Sequence, residues 1–457
     1  MTATSGLPHG WTETTFGAVV STVSTNEKKL PRGEYLESGR FPVVDQGQRF
    51  IGGYSDDADR VISQDLPLLV FGDHTRAFKY LDQPFVPGAD GVKVLKPLGV
   101  DAKWLYLIAH ALDFPDKGYA RHFQHLKTAR LFVPPLPEQR RIVAEIDKQF
   151  TRLEVGVAAL RRVQANLKRY RAAVLKAACE GRLVPTEAEL AKTGKRKSTF
   201  ETGEALLARI LTERRKNWKG RGSYQEPVAP DTTSFPPHPK GWTWARVEQL
   251  AAPEPNSITD GPFGSNLKTE HYVESGPRVI RLQNIGDGVY VDERAHISQA
   301  HFEGLQKHRV FANDVVIAGF GDNPPRSCTI PESLGPAIVK ADCIRFKPHS
   351  SVASKYLNAV LNSEPVRKRT KGMVHGVGRP RLNLGEIKSI VLPLPPVAEQ
   401  TRIVAEVERR LSVVEELETA VAANLQRATR LRQSILQKAF TGRLLGGSSR
   451  TPRGATP

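Results

Sequence analysis

Sulfur is scarce in this chain: three cysteines and two methionines in 457 residues. Cys179, Cys328 and Cys343 show no paired spacing. That argues against a disulfide scaffold and against a Cys-based zinc site, and it makes a reducing compartment, the cytoplasm, the expectation. No apolar run approaches the roughly 20 residues of a membrane helix. The opening residues, MTATSGLPHGW, lack a basic stretch followed by an apolar one. Neither a membrane span nor a signal peptide is expected.

Catalytic signatures are equally thin. There is no P-loop and no G-x-S-x-G. Asn323-Pro324-Pro325 is similar to the Asn-Pro-Pro-aromatic loop of amino-methyltransferases, but Arg326 stands where an aromatic should stack, and no Gly-rich loop after a strand supplies a cofactor site. Glu386-Ile387-Lys388 resembles the Glu-x-Lys of metal-dependent nucleases. That chemistry needs a further carboxylate to share the cation, and the nearest upstream acids, Glu364 and Asp342, lie across a helix and a loop. His122 and His125 are spaced by three but lack a Cys or carboxylate to complete a metal set. No catalytic, metal or cofactor site is therefore expected in this chain.

Negative charge is in deficit. Lys plus Arg number 66 against 48 Asp plus Glu, a formal net charge of +18 with pI near 9.8. So basic a chain suits a polyanion, nucleic acid first; the bland alternative is a solvated basic surface or one that docks on acidic partners. The 457 residues are enough for two to four domains with real cores, and 39% hydrophobic residues is normal for a soluble globular protein.

What is abundant is repetition. EQxRIVAE opens a stretch at Glu138 that closes with Gly181-Arg182-Leu183, and the same signature returns from Glu399 to Leu444 with no gap. Each copy follows a proline-rich lead: Pro134, Pro135 and Pro137, then Pro393, Pro395 and Pro396. Ile142, Ile146, Phe150, Leu153, Val157, Leu160, Leu167, Val174 and Ala178 recur at steps of three and four, as do Ile403, Val407, Leu411, Val414, Val421, Leu425, Ala428, Ile435 and Ala439. Such spacing makes one apolar stripe on a helix, with prolines as start and Gly181 or Gly442 as stop. Each helix would span about 65 Å, too long for the inside of one small domain. A narrow stripe with charged flanks suits a coiled-coil seam, and each copy is the other's natural partner. The pattern is compatible with parallel pairing, because the connector is long enough to run back; antiparallel pairing is the expectation.

A second duplication, Pro8-His9-Gly10-Trp11-Thr12 against Pro239-Lys240-Gly241-Trp242-Thr243, starts each half. The resulting layout is a first head (1–137), a helix (138–183), a basic and Pro-rich connector holding a short amphipathic helix over 204–218 (184–238), a second head (239–398), a second helix (399–445) and a tail expected to be disordered (446–457). The heads read as mixed α+β modules. Strands are expected at 41–44, 66–71, 91–95 and 131–133 in the first, and at 278–282, 314–318, 337–346 and 389–392 in the second. Helices are expected at 104–112 and 354–362. The scaffold is repeated and the head interiors differ, as two readers of different things would.

Binding is what the residue types offer. Lys, Arg, Asn and Gln contact phosphates for affinity and base edges for specificity. Candidates are Arg76, Lys79, Lys93, Arg121, His122 and Lys127 in the first head. In the second they are Lys268, Arg281, Asn284, Arg326, Lys340, Lys371, Arg379 and Arg381. Any one alone is equally a solvated surface charge. The Gly376–Leu382 stretch is the strongest cluster, because its glycines let backbone approach a phosphate between two arginines.

Two unlike heads, each followed by a near-identical long helix, resemble the specificity (S) subunit of type I restriction–modification enzymes. The resemblance covers essentially the whole chain. It rests on the PPLPEQRRIVAEID and PLPPVAEQTRIVAEVE junctions, the GRL ends and the Gly-Trp starts. Asp45-Gln46-Gly47-Gln48, Phe71-Gly72-Asp73-His74-Thr75-Arg76 and Gly118-Tyr119-Ala120-Arg121-His122-Phe123 look like one class of target-recognition domain. Asp260-Gly261-Pro262-Phe263-Gly264-Ser265 with Arg281-Leu282-Gln283-Asn284-Ile285 looks like another. The resemblance implies a chain without an active site that reads a bipartite double-stranded DNA target, one half per head. It further implies two modification subunits docked largely on the helices, and restriction subunits recruited through them. S-adenosylmethionine, ATP and Mg²⁺ would sit on those partners and not on this chain. With antiparallel helices the heads would lie at opposite ends of a rod related by a pseudo-two-fold axis. Helix length would then rule the unread spacer, close to one turn of DNA. The competing reading is a coiled-coil scaffold whose heads bind proteins.

Overall fold

A computed structural model describes residues 8–445 apart from Asn26, Asp90, Asp113, Asp116, Lys117, Tyr119, 195–199, Arg221, Asp322 and 377–379. In chain order the first head holds β1 (Thr12–Thr15), β2 (Val20–Val23), β3 (Phe41–Val44), β4 (Gly53–Ser55), β5 (Leu68–Gly72), β6 (Phe78–Leu81), β7 (Val86–Pro87) and β8 (Val92–Pro97). Helices α1 (Ala102–Ala109) and α2 (Phe123–Thr128), strand β9 (Arg130–Val133) and the long α3 (Leu136–Cys179) follow. The connector carries α4 (Glu187–Lys192) and α5 (Gly203–Lys216). The second head holds β10 (Thr243–Arg246), β11 (Ile258–Thr259), β12 (Tyr272–Ile280), β13 (His296–Ile297), α6 (Gln299–Gly304), β14 (Arg309–Val310), β15 (Val315–Ala318), β16 (Arg326–Thr329), β17 (Ala337–Val339) and β18 (Cys343–Phe346). Then come α7 (Ser354–Leu361), α8 (Glu364–Thr370), α9 (Leu384–Ser389), β19 (Val391–Leu394) and the long α10 (Val397–Phe440).

The chain divides into two compact units. One comprises the residues up to Val163 with those from Ala420 onward; the other is Gln164–Thr419. Each unit therefore owns one head, the first part of one long helix and the last part of the other. The sequence repeats suggested a head with its own helix, and the units cut across that division. In the first unit Ile142, Ile146 and Phe150 of α3 share a core with Ile435, Leu436 and Ala439 of α10. Phe132, just before α3, meets Phe440 (5.4 Å between ring centroids), while Arg432 lies over Phe150 and 3.5 Å from Glu154. In the second unit Val174, Leu175 and Ala178 pack with Ile403 and Val407, and Arg171 pairs with Glu418 at 3.2 Å. Partner numbers fall as α3 rises, so the helices run antiparallel in each unit.

Both helix ends are built alike. Gly181 and Gly442 adopt φ of 67° and 70°. The next residues donate backwards, Arg182 N to Ala177 O (2.9 Å) and Arg443 N to Lys438 O (2.8 Å), which satisfies carbonyls the last turn leaves open. Gly442 then rests on Pro8 and Trp11, and Gly181 on Pro239 and Trp242. Each GRL end thus closes on the Gly-Trp start of the other repeat.

The helix starts explain the shared Gln. Gln139 donates to Pro134 O (2.8 Å) and accepts from Asp101 N (2.7 Å). Gln400 donates to Pro395 O (3.0 Å) and accepts from Ala353 N (2.9 Å). Each buried amide ties the proline lead to the start of its head's helix, α1 or α7. Gln139→Leu keeps the volume but orphans a buried N–H and a buried C=O, so it should cost about 1–3 kcal/mol in urea denaturation. Full stability in that variant would sink this account of the motif.

The heads, unlike in sequence, share an organisation. In each a short antiparallel pair joins the start to the end: β1 with β9 (Thr12 opposite Val133) and β10 with β19 (Thr243 opposite Leu394). Each also has a four-stranded antiparallel sheet, β2-β8-β5-β6 or β11-β18-β15-β16. Each has a second sheet with one parallel pair, β3 with β7 or β12 with β17. The stretch expected as one strand over 337–346 is two strands in different sheets, parted by a turn at Asp342 (φ 66°). The strand expected over 389–392 is shifted, because α9 runs through Ser389.

Candidate nucleic-acid interface

In the second unit the sheet topology gathers basic residues at one end. Parallel β12 and β17 pair Ile280 with Val339, so Arg281 and Lys340 leave their strands side by side; Lys340 N donates to Ile280 O at 2.8 Å. Ala318, closing β15, pairs with Arg326 on one side and Cys343 on the other, and Cys343 N donates to Lys340 O at 3.0 Å. The ladder therefore links Arg281, Lys340 and Arg326. Burial pushes the Cys343 thiol well up, and the charges of Lys340 and Arg326 are near enough to oppose that shift. The described residues that flank 377–379 join this end. His375 and Arg381 exchange backbone hydrogen bonds (3.2 and 3.0 Å), Pro380 O accepts from Gly321 N (3.4 Å), and Leu382 N donates to Gly319 O (2.7 Å). Arg381 is exposed there. Only glycine fits at 261, where a Cβ would collide with the Val339–Lys340 backbone, so the Gly261–Ser265 loop lies over the same end and shows Phe263 to solvent (50% exposed).

The remaining candidates of this head fare differently. Lys268 is exposed, 3.6 Å from Glu270, and Lys371 is exposed just upstream of His375. Arg281 is drawn partly inward, 3.6 Å from Glu293. Arg379 lies outside the described residues. Asn284 is a correction. It is fully buried, donating to Val291 O and Glu293 O (2.8 and 2.7 Å) and accepting from Arg281 N (2.9 Å). Both amide N–H groups are used within the fold, and the side chain shapes the loop that carries Arg281.

In the first unit three motifs interlock. Asp45 accepts from Gly47 N (2.9 Å), and Gln46 receives His74 N (3.3 Å) and the Thr75 hydroxyl. Gln48 reaches Thr75 O at 3.4 Å. Asp73 accepts Phe123 N on its carboxylate (2.7 Å) and His122 N on its carbonyl (2.9 Å). Around the aromatic cluster of Phe71, Phe114 and Phe123 stand three expected cations. Arg76 is 4.4 Å from the Phe114 centroid, and Lys93 and Lys127 are 5.8 and 5.4 Å from that of Phe123. Arg121 is exposed beside them; Tyr119 lies outside the described residues. Two candidates are corrections. Lys79 is 3% exposed, and its ammonium is held by Asp45 O (2.7 Å) and the Asp45 carboxylate (3.5 Å); burial lowers its pKa, against the pull of Asp45. His122 is fully buried, with Nδ1 3.0 Å from Asp73 O. Both are buried and held by neighbouring loop residues, Asp45 and Asp73.

Residue-type reasoning missed Arg49 and Phe50, exposed directly after the Asp45–Gln48 motif (Phe50 54%), as it missed Phe263. The signal was a large apolar residue on a turn that glycines border, Gly47 to Gly52 and Gly261 to Gly264. The apparent nuclease motif has a structural explanation: Glu386 completes a capping box with Asn383 and lies 3.0 Å from His375.

This geometry can be set beside known proteins. The specificity subunit of the Escherichia coli type I restriction enzyme EcoBI is 24% identical over 320 residues, 70% of this chain and 59% of that protein. That of E. coli EcoDI is 24% identical over 361 residues, 77% of this chain and 72% of that protein. The curated homologues of this chain are type I restriction enzyme specificity subunits. With the EcoAI subunit the match covers 49% of the relative, so this chain spans about half to three fifths of the first specificity subunits it matches. No family model matches. A solved chain described under complex assembly and conformational transition of the type I R-M system has the same fold: TM-score 0.57, 19% identity, 96% of this chain and 99% of that one. Among the described residues of this specificity-subunit homologue, no helix is long and apolar enough to cross a membrane.

Proposed function

We propose that this chain is the DNA-reading subunit of a type I restriction–modification enzyme. One observation carries the reading: two heads of unlike sequence sit on one repeated joint, and each gathers cations with an exposed phenylalanine on glycine-bordered loops. Cations supply phosphate affinity and side chains on shaped loops supply base readout. In this reading each head recognises one half of a bipartite duplex target. The chain holds no active site and works in the cytoplasm. Two modification subunits bring S-adenosylmethionine and adenine methylation, and restriction subunits recruited through them bring ATP and Mg²⁺. The paired helices set the distance between the two half-sites.

Replacing residues 8–137 with the first head of another specificity subunit tests this. Methylome sequencing of cells that also carry the modification subunits should show one half of the methylated motif changed and the other retained. A change in both halves, or in neither, defeats the proposal.

A further inference from the structure

The two helix starts are equivalent by sequence, yet among the described residues only one is covered. In the second unit Glu399 is fully buried; its carboxylate accepts Trp242 Nε1–H (2.9 Å) and Glu187 N–H (3.1 Å). Arg402 closes the same corner, donating to Glu187 Oε1 (2.5 Å) and Pro185 O (3.1 Å). The cover is chain that leaves the end of α3: Pro185, the Thr186 cap and α4. Further along, α5 buries Leu206 and Ile210 beside β10 and β19, and Gly203 N donates to Gly241 O at 2.7 Å.

Among its described residues the first unit has the seat without the cover. The repeat matches Trp11 to Trp242, Glu138 to Glu399 and Arg141 to Arg402. Trp11 is 8% exposed, and its Nε1–H has no hydrogen-bond partner among the described residues. Among the described residues no side-chain hydrogen bond reaches the half-buried Glu138, and the exposed Arg141 forms no ion pair. Thr12, Glu13 and Thr15 of β1 are exposed and Thr14 is half-buried, whereas the matching Thr243, Trp244 and Arg246 of β10 are half-buried and Ala245 is fully buried. A buried indole N–H left unpaired costs stability, a cost the other copy avoids. The sequence of the two repeats diverges at this point. After Leu183-Val184 comes Pro185-Thr186-Glu187-Ala188-Glu189; after Leu444-Leu445, residues Gly446 to Pro457 contain no Asp or Glu. That stretch cannot give Arg141 the side-chain carboxylate that Glu187 gives Arg402.

We propose that Trp11, Glu138 and Arg141 form a docking seat for an acidic, helix-starting segment of another polypeptide, chemically like Pro185–Lys192. The segment offers a backbone N–H to Glu138 and a carboxylate to Arg141. Glu138 turns inward to take the Trp11 N–H, as Glu399 does for Trp242. The inference is independent of what the heads read.

The probe is a fluorescein-labelled peptide of residues 184–218, titrated onto the full chain by anisotropy. Saturable binding of one peptide per chain is expected. Arg141→Glu should weaken it about tenfold or more through like-charge juxtaposition. A peptide carrying Glu187→Arg should recover binding to that variant, a readout that lost folding cannot produce. Arg402→Glu should leave binding of the original peptide in place. Three results overturn the proposal: no saturable binding, binding indifferent to Arg141→Glu, or binding lost only with Arg402→Glu, which would mean the peptide merely exchanges with the internal segment.

Discussion

Asp314→Ala should destabilise the second unit by about 3–5 kcal/mol, as expected when one partner of a buried ion pair is removed. Arg345 Nε lies 2.6 Å from Asp314 Oδ2, and the two side chains are 7% and 3% exposed. Asp314 also accepts Phe311 N at 2.9 Å, and the guanidinium lies 5.0 Å from the Phe311 ring centroid. Without the carboxylate, a cation stays enclosed with one carbonyl, Asn256 O at 3.4 Å, as its remaining partner. The pair also anchors the start of β15, whose far end carries Gly319 and the turn against Arg381, so the basic cluster should loosen with it. Urea denaturation measures the loss. The double variant Asp314→Ala, Arg345→Met should regain much of it, because no charge is then left buried. A single-variant cost below about 1 kcal/mol would mean that water reaches the site freely and the pair does little.

Arg326→Ala combined with Arg381→Ala should remove recognition of one half of the target while the fold stands, since neither guanidinium makes a hydrogen bond or ion pair with another described residue. If each reads a base edge, each contributes about 1–3 kcal/mol of discrimination. The double variant would then bind the cognate duplex more weakly by up to several orders of magnitude, while binding to unrelated duplex barely changes. If they hold phosphates, both duplexes weaken alike, and the slope of log affinity against log salt falls by about one per arginine. The measurement is duplex binding across a salt series with the modification subunits present. Unaltered affinity and slope would remove this cluster from the interface. The same logic extends to Phe50 and Phe263, each about half exposed (54% and 50%).

How much of this was legible in the sequence depends on the range of the forces involved. Helix starts, stops and lengths were, because a proline lead, a glycine free to take positive φ and a 3.6-residue stripe act within a few residues. The Gln of EQxRIVAE was visible as a repeat, but its work was not: Asp101 and Ala353, which it receives, lie far from it in sequence. The 337–346 stretch misled because apolar, β-rich residues look the same in one strand as in two strands of different sheets. Among the candidate cations, Arg326, Lys340 and Arg381 come together only through the order of strands β12, β17, β18, β15 and β16.

The sequence by itself determined that this molecule is two unlike heads on a repeated helix, basic in charge and without the motifs of an enzyme. These follow from composition, periodicity and local capping, which need no partner distant in the chain. Tertiary structure alone decided which polar groups are spent inside. Lys79, His122 and Asn284 read as binders and are used up by Asp45, Asp73 and the carbonyls of Val291 and Glu293. It alone decided, too, that each unit holds the first part of one long helix and the last part of the other, and that, among the described residues, Glu399 is covered where Glu138 is not. Burial and partner geometry come from packing across sequence distance: the sequence shows that the stretches after the two GRL ends differ, but only the folded chain shows that the first of them lands on Glu399 and Arg402.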